Sequence, residues 1–152
     1  MLKKYSKGFT LIELLVVIGI LGILLAIVLI AINPARQFAL ANNTSRQSGV
    51  NTILNSVSQY MVDSRGRVPA GVTSTPTDMK DTGGVDICTL LVPKYVSQLP
   101  FDPDATGGYH FTDCTDYDTG YLISADSAGR VTISAPQAQD VDSQAVTISV
   151  TR

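Results

Sequence analysis

Glu13 is the side chain whose position most needs a chemical reason. It heads an apolar run in which nineteen residues, Leu14 to Ile32, carry neither a charge nor a side-chain hydrogen-bonding group. At about 1.5 Å per residue such a run nearly crosses the ~30 Å hydrocarbon layer of a bilayer. A carboxylate at that depth costs roughly 2.5–3.5 kcal/mol, so it marks a functional position and calls for a partner. Three other sets of residues have chemical potential. Cys88 and Cys114 are the only cysteines, and His110 is the only histidine. Asp113, Asp116 and Asp118 gather oxygen ligands of the kind that suit Ca²⁺, although their spacing is not that of an EF-hand, and a solvated acidic loop explains the same residues.

The elements that must position Glu13 begin with a short polar leader, residues 1–8, carrying Lys3, Lys4 and Lys7. A secretory signal has its apolar core before the cleavage site; here the core follows the Gly8-Phe9 junction, so a cut there leaves a membrane helix, residues 9–32, on the mature chain. The lysines place the leader in the cytoplasm and everything after Ile32 outside.

Lys7-Gly8-Phe9-Thr10-Leu11-Ile12-Glu13-Leu14 resembles the class III signal of type IV pilins and pseudopilins. The resemblance implies that a prepilin peptidase cuts after Gly8 and that the new amino group of Phe9 is methylated. It further implies that Glu13 pairs with the Phe9 amine of another copy in a growing fibre. An assembly ATPase and a platform membrane protein are implied partners. Pro93-Lys94-Tyr95-Val96 and Leu99-Pro100-Phe101-Asp102-Pro103 resemble the segment that leads into the sheet of pilins and major pseudopilins, and the resemblance also implies a candidate calcium site where Asp113, Asp116 and Asp118 lie, since some major pseudopilins hold calcium there. An N-terminal anchor whose Glu13 snorkels to the interface is the plain alternative.

Without the leader, eight basic residues face thirteen acidic ones, a charge of −5. That balance argues against a dedicated nucleic-acid binder, which would show a basic face, and no specific nucleic acid is expected. In an oxidising exterior Cys88 and Cys114 are expected to pair, closing a loop of 25 intervening residues. Zinc is the rival, lacking a CxxC pair and further ligands at the usual spacing.

Beyond the membrane run, residues 33–66 read as the amphipathic half of one long helix, bent at Asn33-Pro34. The alternative is a second helix beginning at Pro34 with Asn33 as its cap. Periodicity resumes with Ala35, Phe38 and Ala39, then Val50, Ile53, Leu54, Val57, Tyr60 and Met61. The polar stretch of Asn42, Asn43, Thr44, Ser45, Gln47 and Ser48 reads as facing solvent or a neighbour. Asn42 and Asn43 each open an N-x-[ST] match, weakened by the helical setting. Gly66 is the expected stop, flanked by Arg65 and Arg67. A helix from Phe9 to Arg65 would extend about 85 Å, too long for a domain of about 120 residues to bury, so its first half must be covered by lipid or by other copies.

Residues 67–108 read as a connecting region with a short helix over Val85–Leu91. Residues 109–152 read as an antiparallel sheet built from Tyr109–Cys114, Gly120–Ala125, Arg130–Ala135 and Ala145–Thr151, with Val146, Ile148 and Val150 facing the helix. The fold class is therefore α+β, a long N-terminal helix packed against a small C-terminal sheet. No G-x-S-x-G, HExxH or P-loop accompanies His110, so an enzyme is not expected, nor a cofactor beyond the candidate calcium. The whole reads as a structural subunit of a bacterial type IV pilus. It would be stored in the cytoplasmic membrane with its head outside, then polymerised into an extracellular filament serving adhesion or motility. A major pseudopilin of a type II secretion system is the alternative.

Overall fold

A computed structural model describes residues 8–104 and 106–152, so the leader residues 1–7 lie outside the described part. The chain divides into two compact units, Met1–Gln37 and Phe38–Arg152.

In the first unit, α1 spans Leu11–Ile32 and none of its side chains is buried. At the end of α1, Asn33 takes a left-handed conformation with φ of 48° and caps the helix. Its Oδ1 accepts the Arg36 N–H at 3.4 Å, which starts α2, Pro34–Asp63, with Pro34 in the first-turn position where a missing N–H costs nothing. The break at Asn33-Pro34 is thus two helices joined through one non-helical residue, rather than a single bent helix.

Within the second unit α2 presents Asn43, Arg46, Gly49, Val50, Ile53, Leu54, Ser56 and Val57 to the interior, a stripe of the spacing that puts side chains on one helical face. Its polar middle therefore has a buried side. Thr44, Ser45, Gln47 and Ser48 are exposed, whereas Asn43 and Arg46 are not. The helix ends in a Schellman turn: Gly66 N–H donates to Met61 C=O at 2.7 Å and Arg65 N–H to Val62 C=O at 3.4 Å. Arg65, at φ 59°, occupies the left-handed position usually given to glycine, and Gly66 at φ 81° follows it.

The sheet comprises β1 Thr77–Lys80, β2 His110–Asp113, β3 Asp116–Ala125, β4 Val131–Ala135 and β5 Ile148–Thr151, all paired antiparallel. β3 is its spine. It pairs with β1 through Asp118–Ile123, with β2 through Asp116–Asp118, and with β4 through Leu122–Ala125. Strand β1 falls inside the stretch that reads as a connection, because only Met79 of its four residues is buried. β3 begins four residues before the expected Gly120, since Tyr117 and Thr119 point inward between aspartates. The last strand is shorter than expected, although Ile148 is buried and Val146 and Val150 are partly buried against the core. A one-turn helix, α3, covers Cys88–Leu91.

Apolar side chains of α2, the sheet and α3 form one core: Val50, Ile53, Leu54 and Val57 meet Met79, Leu91, Tyr121, Ile123, Ile133 and Ile148. Close approach of helix to sheet needs Gly49, where an added Cβ would lie 2.8 Å from the Tyr121 hydroxyl. A buried polar clamp runs beside this core. Arg46 Nε donates to Asp102 Oδ2 at 2.7 Å and Nη2 to Oδ1 at 2.9 Å, with neither side chain accessible to solvent. Asn43 extends the clamp: its Oδ1 accepts from Arg46 Nη1 at 3.1 Å and Gln139 N–H at 2.9 Å, and its Nδ2 donates to Gln139 C=O at 2.7 Å. Segments near Asp102 and Gln139 are thereby tied to one face of α2.

Candidate functional site

The N-terminal end of α1 carries the geometry around Glu13. Thr10 is the helix cap, in extended backbone with φ −83° and ψ 153°, and with Glu13 it forms a reciprocal capping box. Thr10 Oγ1 accepts the Glu13 N–H at 3.3 Å, while Glu13 Oε2 accepts the Thr10 N–H at 2.8 Å and the Thr10 hydroxyl at 2.7 Å. Both bonds to the carboxylate fall on the same oxygen, and among the described residues Oε1 carries none. A carboxylate in the first turn is also favoured by the positive end of the helix dipole. Three donors or charges thus hold Glu13 in place with no second chain present.

Thr10-Leu11-Ile12-Glu13 is an S/T-x-x-E pattern ahead of an apolar run, the sequence signature of such a box, and it makes Thr10 a participant that the reading of Glu13 alone passes over. What the box leaves uncovered is the apolar surface around it. Phe9 is 92% exposed and Leu11 81% exposed. Gly8 has open space where a Cβ would stand, so packing among the described residues gives no reason for glycine there. Gly19 and Gly22 are equally open. α1 is 22 residues long, about 33 Å, and is long and apolar enough to cross a membrane.

The remaining candidate residues lie in the second unit. Cys88, at the start of α3, is disulfide-bonded to Cys114 in the β2–β3 turn. The three aspartates are each engaged locally instead of converging. Asp113 Oδ1 accepts the Thr115 N–H and hydroxyl, both at 2.7 Å, and these bonds hold its carboxyl below the usual range. Asp118 Oδ1 accepts the Gly120 N–H at 2.9 Å. Asp116 Oδ1 lies 3.0 Å from His110 Nε2, and the hydrogen bond with His110 depresses its pKa. Among the described residues no group of three His, Cys, Asp or Glu side chains is arranged to hold a metal ion.

His110 bridges the β2–β3 hairpin: Nδ1 is 2.8 Å from the Gly108 carbonyl and Nε2 faces Asp116. These bonds, the Gly108 carbonyl first, raise its pKa above the ordinary histidine value. It sits on an exposed strand, with neither a hydroxyl nor a thiol nucleophile bonded to it. The N-x-[ST] asparagines are likewise engaged, since Asn42 Nδ2 donates to Gln139 Oε1 at 3.2 Å and Asn43 belongs to the buried clamp.

Comparison with known families matches residues 3–29 to the prokaryotic N-terminal methylation motif. No curated protein and no solved structure matches the chain. The matched residues contain the Gly8-Phe9 junction, the Thr10–Glu13 capping box and most of α1. The N-terminal segment of this chain therefore matches the prokaryotic N-terminal methylation motif, the class III signal peptide found in type IV pilins and pseudopilins.

Proposed function

We propose that the chain is the structural subunit of a type IV pilus, polymerising through α1 after removal of the leader. The observation that carries this reading is the combination of a methylation motif at residues 3–29 with a 22-residue apolar helix that buries none of its side chains within its own chain. In a single copy that surface is covered only by lipid. In a fibre it is covered by the α1 helices of neighbours, and the contact is heterologous, each copy offering one face to the next without closure.

Hydrolysis of the Gly8-Phe9 peptide bond converts the Phe9 amide into an amine, which is then methylated. Glu13 supports the pairing because one oxygen is held by Thr10 while Oε1 has no partner among the described residues. An incoming Phe9 ammonium takes that second oxygen, neutralising a charge that is costly in an apolar fibre core. The cap is kept while the intersubunit bond forms. An assembly ATPase and a platform membrane protein supply the work of extraction from the membrane, and the head lies on the outer side of the cytoplasmic membrane before assembly and in the extracellular filament after it.

Electron microscopy of sheared cell-surface material tests the reading. Long filaments containing this chain are the expected result. Their absence, together with loss of protein secretion on deletion, would make the chain a pseudopilin of a type II secretion system, which shares the same N-terminal chemistry.

A further inference from the structure

The two edges of the sheet are finished differently. At β1 the chain folds back over the outer side, with Val85 N–H donating to Asp78 C=O at 2.8 Å, and a register shift between Asp78 and Lys80 interrupts the strand. β5 ends the strand order on the other side and pairs, among the described strands, with β4 alone. Val131 and Arg152 exchange N–H···O=C bonds of 2.8 and 2.9 Å, so the alternation of an antiparallel ladder bonds Val150 to Ile133 and Ile148 to Ala135. The backbone groups of Ser149 and Thr151 are thereby turned away from β4, and among the described residues nothing pairs with them. Such an edge is a template for another strand, and the usual guards are missing: residues 145–151 carry neither charge nor proline, and the β4–β5 register has no bulge. Alongside runs a stripe of α2 that is polar yet uncharged. Thr44, Ser48, Asn51 and Asn55 follow one another at helical spacing, all exposed, and the first three share a groove with Val146 and Ile148. Asn55 Oδ1 accepts from Arg152 Nη1, just past the end of β5, at 2.9 Å.

We propose that this edge pairs with the same edge of a second copy, antiparallel, with Val150 opposite the copy's Val150. In that register Ser149 exchanges both backbone bonds with the copy's Thr151, and the two-fold axis repeats the exchange for Thr151 and the copy's Ser149. The two sheets become one, with both α2 helices on the same face. Self-complementarity is what selects a second copy. A two-fold contact sets a surface against itself, so charges of one sign oppose one another, whereas amides and hydroxyls both donate and accept and therefore match their own counterparts. Thr44, Ser48, Asn51 and Asn55 meet that condition. Arg152 falls opposite the copy's Ile148 and apart from the copy's Arg152. Over the whole unit Phe38–Arg152 twelve aspartates stand against seven basic residues, so an uncharged surface is where two copies meet with least repulsion. The contact closes on itself and pairs copies without extending a fibre, so it goes beyond the filament reading and stands without it.

A contact of this size is small and separates readily, so a covalent trap reads it better than a mass measurement. Val150→Cys in the full chain, held in non-ionic detergent with oxidised glutathione, supplies the trap, because Cys88 and Cys114 are already bonded to each other. Opposed residues at a non-hydrogen-bonded position lie about 4.5 Å apart at Cα, within the roughly 4.4–6.8 Å that a disulfide spans. Disulfide-linked dimer should form at least about tenfold faster than from Ser127→Cys, an exposed thiol in the β3–β4 turn. In the Val150→Cys background, Ser149→Pro removes an outward N–H and leaves the β4 ladder whole, so it should bring the rate down to that of Ser127→Cys with the thermal midpoint retained. Asn51→Asp, on the exposed face of α2, should slow the reaction as well by setting like charges across the axis without touching the sheet. Equal rates for the two thiols would overturn the proposal, as would a dimer that neither Ser149→Pro nor Asn51→Asp diminishes, since that contact would run through α1. A Val150→Cys chain that stays monomeric would likewise overturn it and leave the edge to a strand from a different protein.

Discussion

Arg46 on α2 grips Asp102 through two parallel hydrogen bonds of 2.7 and 2.9 Å, across 56 residues of sequence and with both side chains sealed from water. The pair is bidentate, and Asn43 engages the remaining Arg46 nitrogen while Asp104 N–H donates to Asp102 Oδ1 at 2.9 Å. Removing one partner strands a charge in the interior. Arg46→Met or Asp102→Ala should each destabilise the fold by about 3–5 kcal/mol, whereas replacing both by apolar residues should cost less than the two single losses combined. Urea unfolding of the single and double variants measures this. A single variant within about 1 kcal/mol of wild type would contradict a buried, fully paired clamp.

Thr10 and Glu13 separate helix capping from assembly. Thr10→Ala should weaken the helix start by about 1 kcal/mol, and Thr10→Ser should restore it because the hydroxyl is retained. Glu13→Ala loses the same cap and also the intersubunit acceptor, so it should insert and be cleaved normally yet fail to polymerise. Filament yield read beside a processing gel distinguishes the two. Normal-length filaments from Glu13→Ala would refute the pairing with Phe9.

Gly8 has room around it, so substitution should leave the fold undisturbed. Gly8→Ala or a bulkier residue should instead block leader removal, leaving the chain at precursor mobility on a gel while wild type shifts. Efficient cleavage of Gly8→Val would show that glycine is not what the peptidase requires.

His110 should titrate above the ordinary histidine value, because the Gly108 carbonyl and Asp116 favour its charged form. A folded pKa raised above the unfolded one contributes stability that is fully present below about pH 6.5 and fades as pH rises through the folded value. Asp116→Asn should lower the His110 pKa. Proton NMR of the ring across pH 5 to 9 checks both statements, and a folded value at or below about 6.5 would contradict them.

The Cys88–Cys114 bond closes a loop with a sequence separation of 26 residues. On the chain-entropy account its removal should cost about 3–4 kcal/mol. Replacing both cysteines with alanine and comparing denaturation midpoints provides the measurement. A change below about 1 kcal/mol would mean that the reduced chain already holds α3 against the β2–β3 turn.

The N-terminal site was legible because its chemistry is local. Gly8, Phe9 and Glu13 stand within six residues, and the apolar run announces α1 without any tertiary partner. Thr10 was equally legible as the first residue of an S/T-x-x-E box, but attention to the charge alone passes over it. The head was legible in outline: the sheet and the apolar stripe of α2 follow from periodicity and residue type, and of the short helix expected over Val85–Leu91 only Cys88–Leu91 forms. β1 was not, since four residues with a single buried side chain carry too little pattern to stand out from a turn-rich stretch. Arg46 was hidden for another reason. A charge amid polar residues reads as solvated until a partner arrives.

By itself the sequence determined where the apolar run that forms α1 lies, that a carboxylate heads it, and that the fold is α+β. These depend on periods of two and 3.6 residues and on transfer energies that each segment carries alone. Tertiary structure alone decided which charges are neutralised and which remain exposed. Asp102 became the hidden partner of Arg46, while Arg65, Arg67, Arg130 and Arg152 were brought from three elements to one end. Chain closure over long separations makes those choices, and net composition, summing the same charges without their positions, erases them.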